Sequence, residues 1–404
     1  MELRNAKLLF SAGVGWMLDA MDVLLLSYIL VAAGAELGLT RAQSSLVILA
    51  NNLGMLIGAF LFGRLADVWG RKPIFMATLA LYSLGTGLTA LVGTASDLAL
   101  LRFFTGLGLG GELPVVASLI SELSPTRYRG RNVVLLESFW SVGSILAAAL
   151  AYFAFPRYGW RAPLAFLSLT ALYALAVRTT IPESPLWLRL RDPQRAATIA
   201  QIYGVTLGPA ERHSVRELLT RYRTQTLVLW AAWFFLAFGY YGAFLWLPTM
   251  IAKRGFGLVT TFEYTLAMSI AQLPGYLTAA YLIERWGRKP SLLLFLAGSA
   301  ISAVAFALAP NTLVLLAAGT ALNFFNLGAW GLIYAYTPES YPSDLRATGM
   351  GSSGSMARFG MILGPLLPAF LGFAPALSIY AVVWLVSATL VYMLGIETKS
   401  IKSE

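Results

Sequence analysis

Two aspartates, Asp19 and Asp22, stand three residues apart in the stretch WMLDAMDVLLLSYIL (16–30), which is otherwise apolar enough to live in hydrocarbon. On a helix this spacing puts both carboxyls on much the same face, one turn apart. Carboxylates sharing a low-dielectric site oppose each other's ionisation, so one of them is a plausible proton carrier. The alternative is a permanent ion pair with an arginine such as Arg102 or Arg358. Arg358, in GSMARFGMILGP, falls about 18 Å along its helix when counted from Arg346. A guanidinium there keeps its charge and needs an anion, either a carboxylate of the protein or one of a bound molecule. Glu112, just before Pro114, and Glu137 are each a candidate second proton site or a partner for Arg102. Arg102 itself reads as structural or as part of a proton path.

Other chemistries are poorly supplied. The chain has no cysteine and one histidine, His213, which lies in a polar stretch and reads as a solvated loop residue. Disulfides, thiolate metal sites and cysteine nucleophiles are therefore absent, and no metal or cofactor site is expected. The GLGLG run at 106–110 lies inside an apolar span with no strand before it, which favours tight helix packing over a nucleotide loop. With no Walker-type loop either, an enzyme is disfavoured.

The elements that must position these charges are legible from composition. Of 404 residues, 58% are hydrophobic and only 12% charged, with a mean hydropathy of +0.71. A soluble chain carries about twice that charge. Apolar segments long enough to span a bilayer recur from end to end. Spans are expected near 8–33, 43–66, 74–93, 98–122, 132–155 and 161–181, then near 224–251, 261–284, 290–309, 311–337, 347–371 and 374–395. The first apolar stretch runs on as a span and does not read as a cleaved signal. The net charge of +10 does not point to nucleic acid, because the basic residues cluster in short runs between the apolar segments. Placing both termini and the even-to-odd loops on one side collects 22 of the 29 Lys and Arg there, which makes that side cytoplasmic.

The two halves repeat. GRLADVWGRKP (63–73) ends the second span and YLIERWGRKP (281–290) ends the eighth, with Asp67 and Glu284 offset by 217 positions. The same offset relates Glu122 to Glu339, Pro125 to Pro342, Arg129 to Arg346 and Gly143 to Gly360. The expected fold is an all-α membrane protein of twelve transmembrane helices in two pseudo-symmetric six-helix bundles, both termini cytoplasmic. Residues 1–181 form the first bundle, 182–223 a cytoplasmic linker with seven arginines between Arg189 and Arg223, and 224–404 the second bundle.

These motifs resemble the major facilitator superfamily over essentially the whole chain. Gly63-x-x-x-Asp67-x-x-Gly70-Arg71-Lys72 resembles its loop 2–3 signature, and Glu284 to Lys289 the second copy. Arg102-x-x-x-Gly106-x-Gly108-x-Gly110 resembles its fourth-helix motif. SELSPTRYRGR (121–131), PESPLWL (182–188) and PESYPSDLRATG (338–349) are similar to the sugar-porter and organic-ion-transporter branch. WMLDAMDVLLLSYIL and LLESFWSVGS (135–144) look most like bacterial niacin (nicotinate) transporters, relatives of synaptic-vesicle glycoproteins. The chain lacks the Gln-Gln pair that sugar porters carry on helix seven, where it reads WFFLAFGYYGAFLWLP (233–248), and this argues against a hexose.

The resemblance implies a secondary active transporter that imports a small aromatic carboxylate with protons by alternating access, in the inner membrane of a prokaryotic cell and as a monomer. It places Arg358 on the substrate carboxylate and Asp22 or Asp19, with Glu112, on the proton. Glu137 falls where sugar porters place a substrate-contacting Gln. Tyr241, Asn323, Trp330 and Tyr334 are expected around a flat ring, through stacking and amide hydrogen bonds. Asp67, Arg71, Arg102, Glu122 and Arg129, with Glu284, Arg288, Glu339 and Arg346 in the second half, are expected to gate or brace the helix ends. Sugars, organic cations, drugs or a non-transporting receptor role are the competing readings.

Overall fold

A computed structural model of the protein describes residues 2–123, 129–189, 191–205, 215–341 and 346–398. The side chains of Asp67, Arg129, Glu284 and Arg346, together with His213, lie outside the described residues. The chain divides into two compact units, Met1–Pro209 and Ala210–Glu404, so the boundary falls inside the segment read as a linker.

Among the described residues there is no strand. The first unit contains α1 (Glu2–Leu37), α2 (Arg41–Trp69), α3 (Arg71–Thr89), α4 (Ala95–Leu123), α5 (Arg129–Tyr158), α6 (Arg161–Leu167), α7 (Tyr173–Thr180), α8 (Pro185–Leu188) and α9 (Pro193–Tyr203). The second contains α10 (Val215–Thr220), α11 (Arg223–Phe244), α12 (Leu247–Ala252), α13 (Leu258–Ile270), α14 (Gln272–Arg285), α15 (Arg288–Ala307), α16 (Thr312–Glu339), α17 (Arg346–Leu363), α18 (Leu367–Leu371) and α19 (Phe373–Leu394). Among the described residues nine helical segments are long and apolar enough to cross a membrane, against the twelve spans expected. Helices α3, α4 and the α6-to-α7 stretch occupy the third, fourth and sixth expected positions.

Several expected spans are interrupted, and three of the breaks fall at proline. Pro248 would point its ring at the Phe244 carbonyl, where α11 stops, and Pro274 does the same to Ile270 at the end of α13. Pro365 sits in a short 3-10 turn that separates α17 from α18. Between α6 and α7 the 3-10 segment Ser168–Leu172 has the Ser168 and Thr170 hydroxyls donating to carbonyls three residues back, a local competition that tightens a helix.

Glycine sets how closely the helices approach. A Cβ at Gly110 would stand 1.9 Å from the Met55 carbonyl oxygen and one at Gly54 2.1 Å from that of Phe103. The GLGLG run therefore lets α4 lie against α2 backbone to backbone, as read from the sequence. The internal repeat has a packing counterpart. Gly143 would place a Cβ 2.3 Å from the Met17 carbonyl, joining α5 to α1, and Gly360 would place one 2.3 Å from the Phe234 carbonyl, joining α17 to α11.

Candidate functional site

In the first unit Asp22 has a definite partner. Arg102 Nη1 lies 2.8 Å from Asp22 Oδ1, and the Thr86 hydroxyl donates to the other carboxylate oxygen. Arg102 Nη2 also donates to Thr89 Oγ1 at 3.3 Å. The arginine is fully buried and Asp22 nearly so. Helices α1, α3 and α4 thus meet on one ion pair whose remaining bonds come from threonines. Of the two arginines weighed for this aspartate, the fourth-helix one supplies the guanidinium.

Asp19, one turn earlier, is 1% exposed and lies within electrostatic reach of Glu112, which is 0% exposed. The Glu112 carboxylate faces α1 at Gly15, where a Cβ would stand 3.1 Å from its Oε1. Gly15 is one helical turn before Asp19, so Glu112 and Asp19 share that face. Neither oxygen of Glu112 has a hydrogen-bond partner among the described residues. Glu137, also buried, faces the indole of Trp16, whose ring lies 5.1 Å from that of Trp140.

In the second unit the aromatic residues of α11 and α16 form a cluster of edge-on contacts. Trp233 lies 4.7 Å from Tyr334 and 5.7 Å from Trp330 by ring centroids, and Tyr240 lies 5.7 Å from Trp330. Edge-to-face pairs of this spacing hold ring positions well. Trp233 is fixed further by its indole N–H, which donates to Thr337 Oγ1 at 2.8 Å. Tyr240, next to the expected Tyr241, makes the Trp330 contact, while Tyr241 packs on Tyr240 at 5.0 Å. The Asn323 amide is engaged within the unit: its oxygen accepts from Gln272 Nε2 at 2.7 Å and its nitrogen donates to the Gly319 carbonyl at 2.9 Å. Trp330 keeps an indole N–H with no acceptor among the described residues, and Asn326 on the same helix is buried with neither amide atom matched. Arg358 is half-buried on α17.

The loop motifs build two copies of one clamp. In the first unit Arg71 Nη2 approaches Glu122 Oε1 at 3.5 Å and Nη1 donates to the Ala66 carbonyl at 3.0 Å. In the second, Arg288 Nε and Nη2 grip both oxygens of Glu339 at 2.7 and 3.1 Å, and Nη1 donates to the Ile283 carbonyl at 3.2 Å. All three positions of each clamp repeat at the offset of 217. A further carboxylate in each unit went unassigned from sequence. Glu183 accepts the backbone N–H of Arg71 at 2.9 Å at the start of α3, and Glu397 accepts those of Arg288 and Lys289, both at 3.0 Å, at the start of α15. An anion at a helix N-terminus satisfies free N–H groups and meets the positive end of the helix dipole. The neighbouring hydroxyls complete the pattern: Ser184 donates to Glu122, and Thr398 to Glu339 at 3.0 Å. Gly70 and Gly287 make the approach feasible, with φ of 107° and 103°. A Cβ there would stand 2.3 Å from Glu183 Oε2 and 2.8 Å from Glu397.

Comparison with known proteins agrees with this architecture. The family model described as "Sugar (and other) transporter" matches residues 20–404. The chain is 44% identical over 408 residues to a Bacillus subtilis (strain 168) protein bearing the name NiaP, covering 100% of this chain and 98% of that one. It is 39% identical over 412 residues to the "Niacin transporter NiaP" of Acinetobacter baylyi, covering 97% and 94%. The xylose transporter XylE of E. coli, in a partially occluded inward-open conformation, superposes with a TM-score of 0.78 at 19% identity and covers 98% of both chains, a likeness of fold. The chain is a multi-pass membrane protein that belongs to the sugar (and other) transporter family of the major facilitator superfamily, a family of transporters and not of enzymes.

Proposed function

We propose that this protein imports a small aromatic carboxylate of the nicotinate type together with protons, by alternating access. In this scheme twelve spans cross the inner membrane of a prokaryotic cell, both termini lie in the cytoplasm, and one copy of the chain suffices. The observation that carries the reading is the near-full-length similarity to proteins named as niacin transporters. The chemistry of the side chains supports it. Arg358 offers a fixed positive charge on a helix with no acidic residue of its own, and a planar guanidinium suits a carboxylate. Trp330, Tyr334 and Tyr241 offer faces and edges to a flat ring, and Asn323 polarity beside them. In this reading Glu137, buried on α5, contacts the substrate. Asp22, Asp19 and Glu112 are the buried acids available to carry protons. The paired clamps at Arg71–Glu122 and Arg288–Glu339 act as the gating elements.

The test is uptake of radiolabelled nicotinate into proteoliposomes with and without an inward proton gradient. Gradient-dependent accumulation that sugars and organic cations do not compete is the expected result. Uptake indifferent to the gradient would end the symport reading, and competition by a sugar or an amine would replace the cargo.

A further inference from the structure

The polar side chains of α16 gather on one side of the helix, and they differ in whether they are satisfied. At about 100° of turn per residue, Asn323, Asn326, Trp330, Tyr334 and Thr337 fall within a sector of about 80°. The two ends of this stripe are braced inside the unit. The Asn323 amide accepts from Gln272 and donates to the Gly319 carbonyl. Thr337 accepts from the Trp233 indole and donates to the Ile333 carbonyl. The middle of the stripe is open. Neither amide atom of Asn326 has a hydrogen-bond partner among the described residues, and neither has the indole N–H of Trp330, one turn further on. Asn326 is fully buried and Trp330 is 9% exposed.

Buried polar groups without a partner are costly and rare, so an open amide one turn from an open indole calls for an occupant. The depth fits a small molecule. Asn326 stands 14 residues after Thr312 and 13 before Glu339, the ends of α16, and is therefore midway along a helix apolar enough to cross a membrane. Polar side chains at that depth are costly unless they serve a ligand or a brace. The Trp330 ring is itself held in place, 5.7 Å from Tyr240, 5.7 Å from Trp233 and 6.0 Å from Tyr334 by centroids. Its N–H is thus carried on a fixed frame.

We infer that Asn326 recognises the ring nitrogen of the cargo, its amide N–H donating to that nitrogen while the Trp330 indole N–H donates to a carboxylate oxygen. A pyridine nitrogen and a carboxylate are acceptors only, so each needs a donor. Side chains one turn apart stand about 5–6 Å from each other at Cβ, a spacing that one small ring bearing both acceptors can bridge. The sequence points to Asn323 for an amide contact with the ring, but Asn323 is engaged with Gln272 and Gly319, and the amide left open is Asn326. Selection follows by difference: a ring without the nitrogen leaves the Asn326 amide buried and unpaired. The inference rests on the import reading for the class of ligand, and it goes further in naming the residue that separates a pyridine from a benzene ring.

Isothermal titration of the whole detergent-solubilised protein with nicotinate and with benzoate tests it, since benzoate has the carboxylate and lacks the ring nitrogen. Wild type should prefer nicotinate by about tenfold or more. Asn326→Leu should erase that preference by weakening nicotinate, while benzoate binds no more weakly than before. Trp330→Phe, which keeps a ring and removes the N–H, should weaken both ligands and keep the preference. Equal affinities in wild type, or a preference that survives Asn326→Leu, overturns the inference; the second result would leave a buried water as the partner of the amide. The wild-type ratio needs no variant, so a folding failure of Asn326→Leu does not shield the inference. Nicotinamide and benzamide repeat the comparison without a carboxylate. If wild type binds neither acid but prefers nicotinamide to benzamide, and Asn326→Leu abolishes that preference, the import reading loses its cargo and Asn326 keeps its role. If nicotinate is accumulated with protons yet binds no better than benzoate, Asn326 loses its role and the import reading stands.

Discussion

Arg288 holds Glu339 through two hydrogen bonds, from Nε at 2.7 Å and from Nη2 at 3.1 Å, whereas its repeat-related counterpart Arg71 approaches Glu122 through Nη2 at the longer distance of 3.5 Å. The two clamps share a design and differ in strength, so their removal should not be equivalent.

Arg288 is nearly buried and Glu339 a quarter exposed, which puts Arg288→Ala at about 2–3 kcal/mol, below the ~3–5 kcal/mol of a fully buried pair. Arg71→Ala should cost less, about 1–2 kcal/mol, because its mostly buried pair with Glu122 is longer at 3.5 Å. Arg288→Lys should recover only part of the loss, because an ammonium cannot make the bidentate grip. Thermal unfolding of the detergent-solubilised variants checks the order.

The backbone caps predict a second pair of effects. Glu183→Ala and Glu397→Ala should each destabilise by about 1–2 kcal/mol. Amide hydrogen exchange should rise at Arg71 and Lys72 in the first variant and at Arg288 and Lys289 in the second, the residues whose N–H groups are capped. Gly70→Ala and Gly287→Ala should reproduce these exchange patterns, since both backbone angle and space exclude a methyl there.

Asp22→Asn removes the anion opposite a fully buried arginine and should lower stability by about 3–5 kcal/mol. Replacing both partners, as Asp22→Leu with Arg102→Met, should restore much of that loss, because no charge is then stranded. A double variant as unstable as the single one would show that the threonine contacts of this network carry the stability, not the charge balance.

Arg358→Ala should weaken nicotinate binding roughly 10- to 100-fold, the range of a charge-assisted hydrogen bond of ~1.5–3 kcal/mol. Nicotinamide, which has the ring without the carboxylate, should bind both forms alike. Isothermal titration with the two ligands separates loss of the anion site from a general loss of folding.

Much of this was legible in the sequence wherever the repeat spoke, whereas the breaks at Pro248, Pro274 and Pro365 fall inside segments read as continuous spans. The 217-residue register led to Arg71 and Arg288, to Glu122 and Glu339, and to the Gly143 and Gly360 contacts. Glu183 and Glu397 stayed hidden because they are offset by 214 and lie in extended segments, where periodicity offers no phase. The partner of Asp22 was open between two arginines, since choosing between them needs the rotation and packing of α4, which side-chain types alone do not set. Tyr240 and Tyr241 illustrate the same limit: one residue turns a helix by about 100°, and a helix aromatic on every side gives no marker of its facing.

The clamp of the first unit draws its last members from Glu183 and Ser184, ahead of the second unit's first helix, α10, which begins at Val215. During synthesis, every residue that closes it is added to the chain before that helix is. The first half can therefore lock its own helix ends as a finished piece, in keeping with units that fold in the order they emerge. The second half repeats the step with Glu397 and Thr398. Two polypeptides divided between these units would each carry a complete set of fasteners, so assembly of the whole need not wait for one continuous chain.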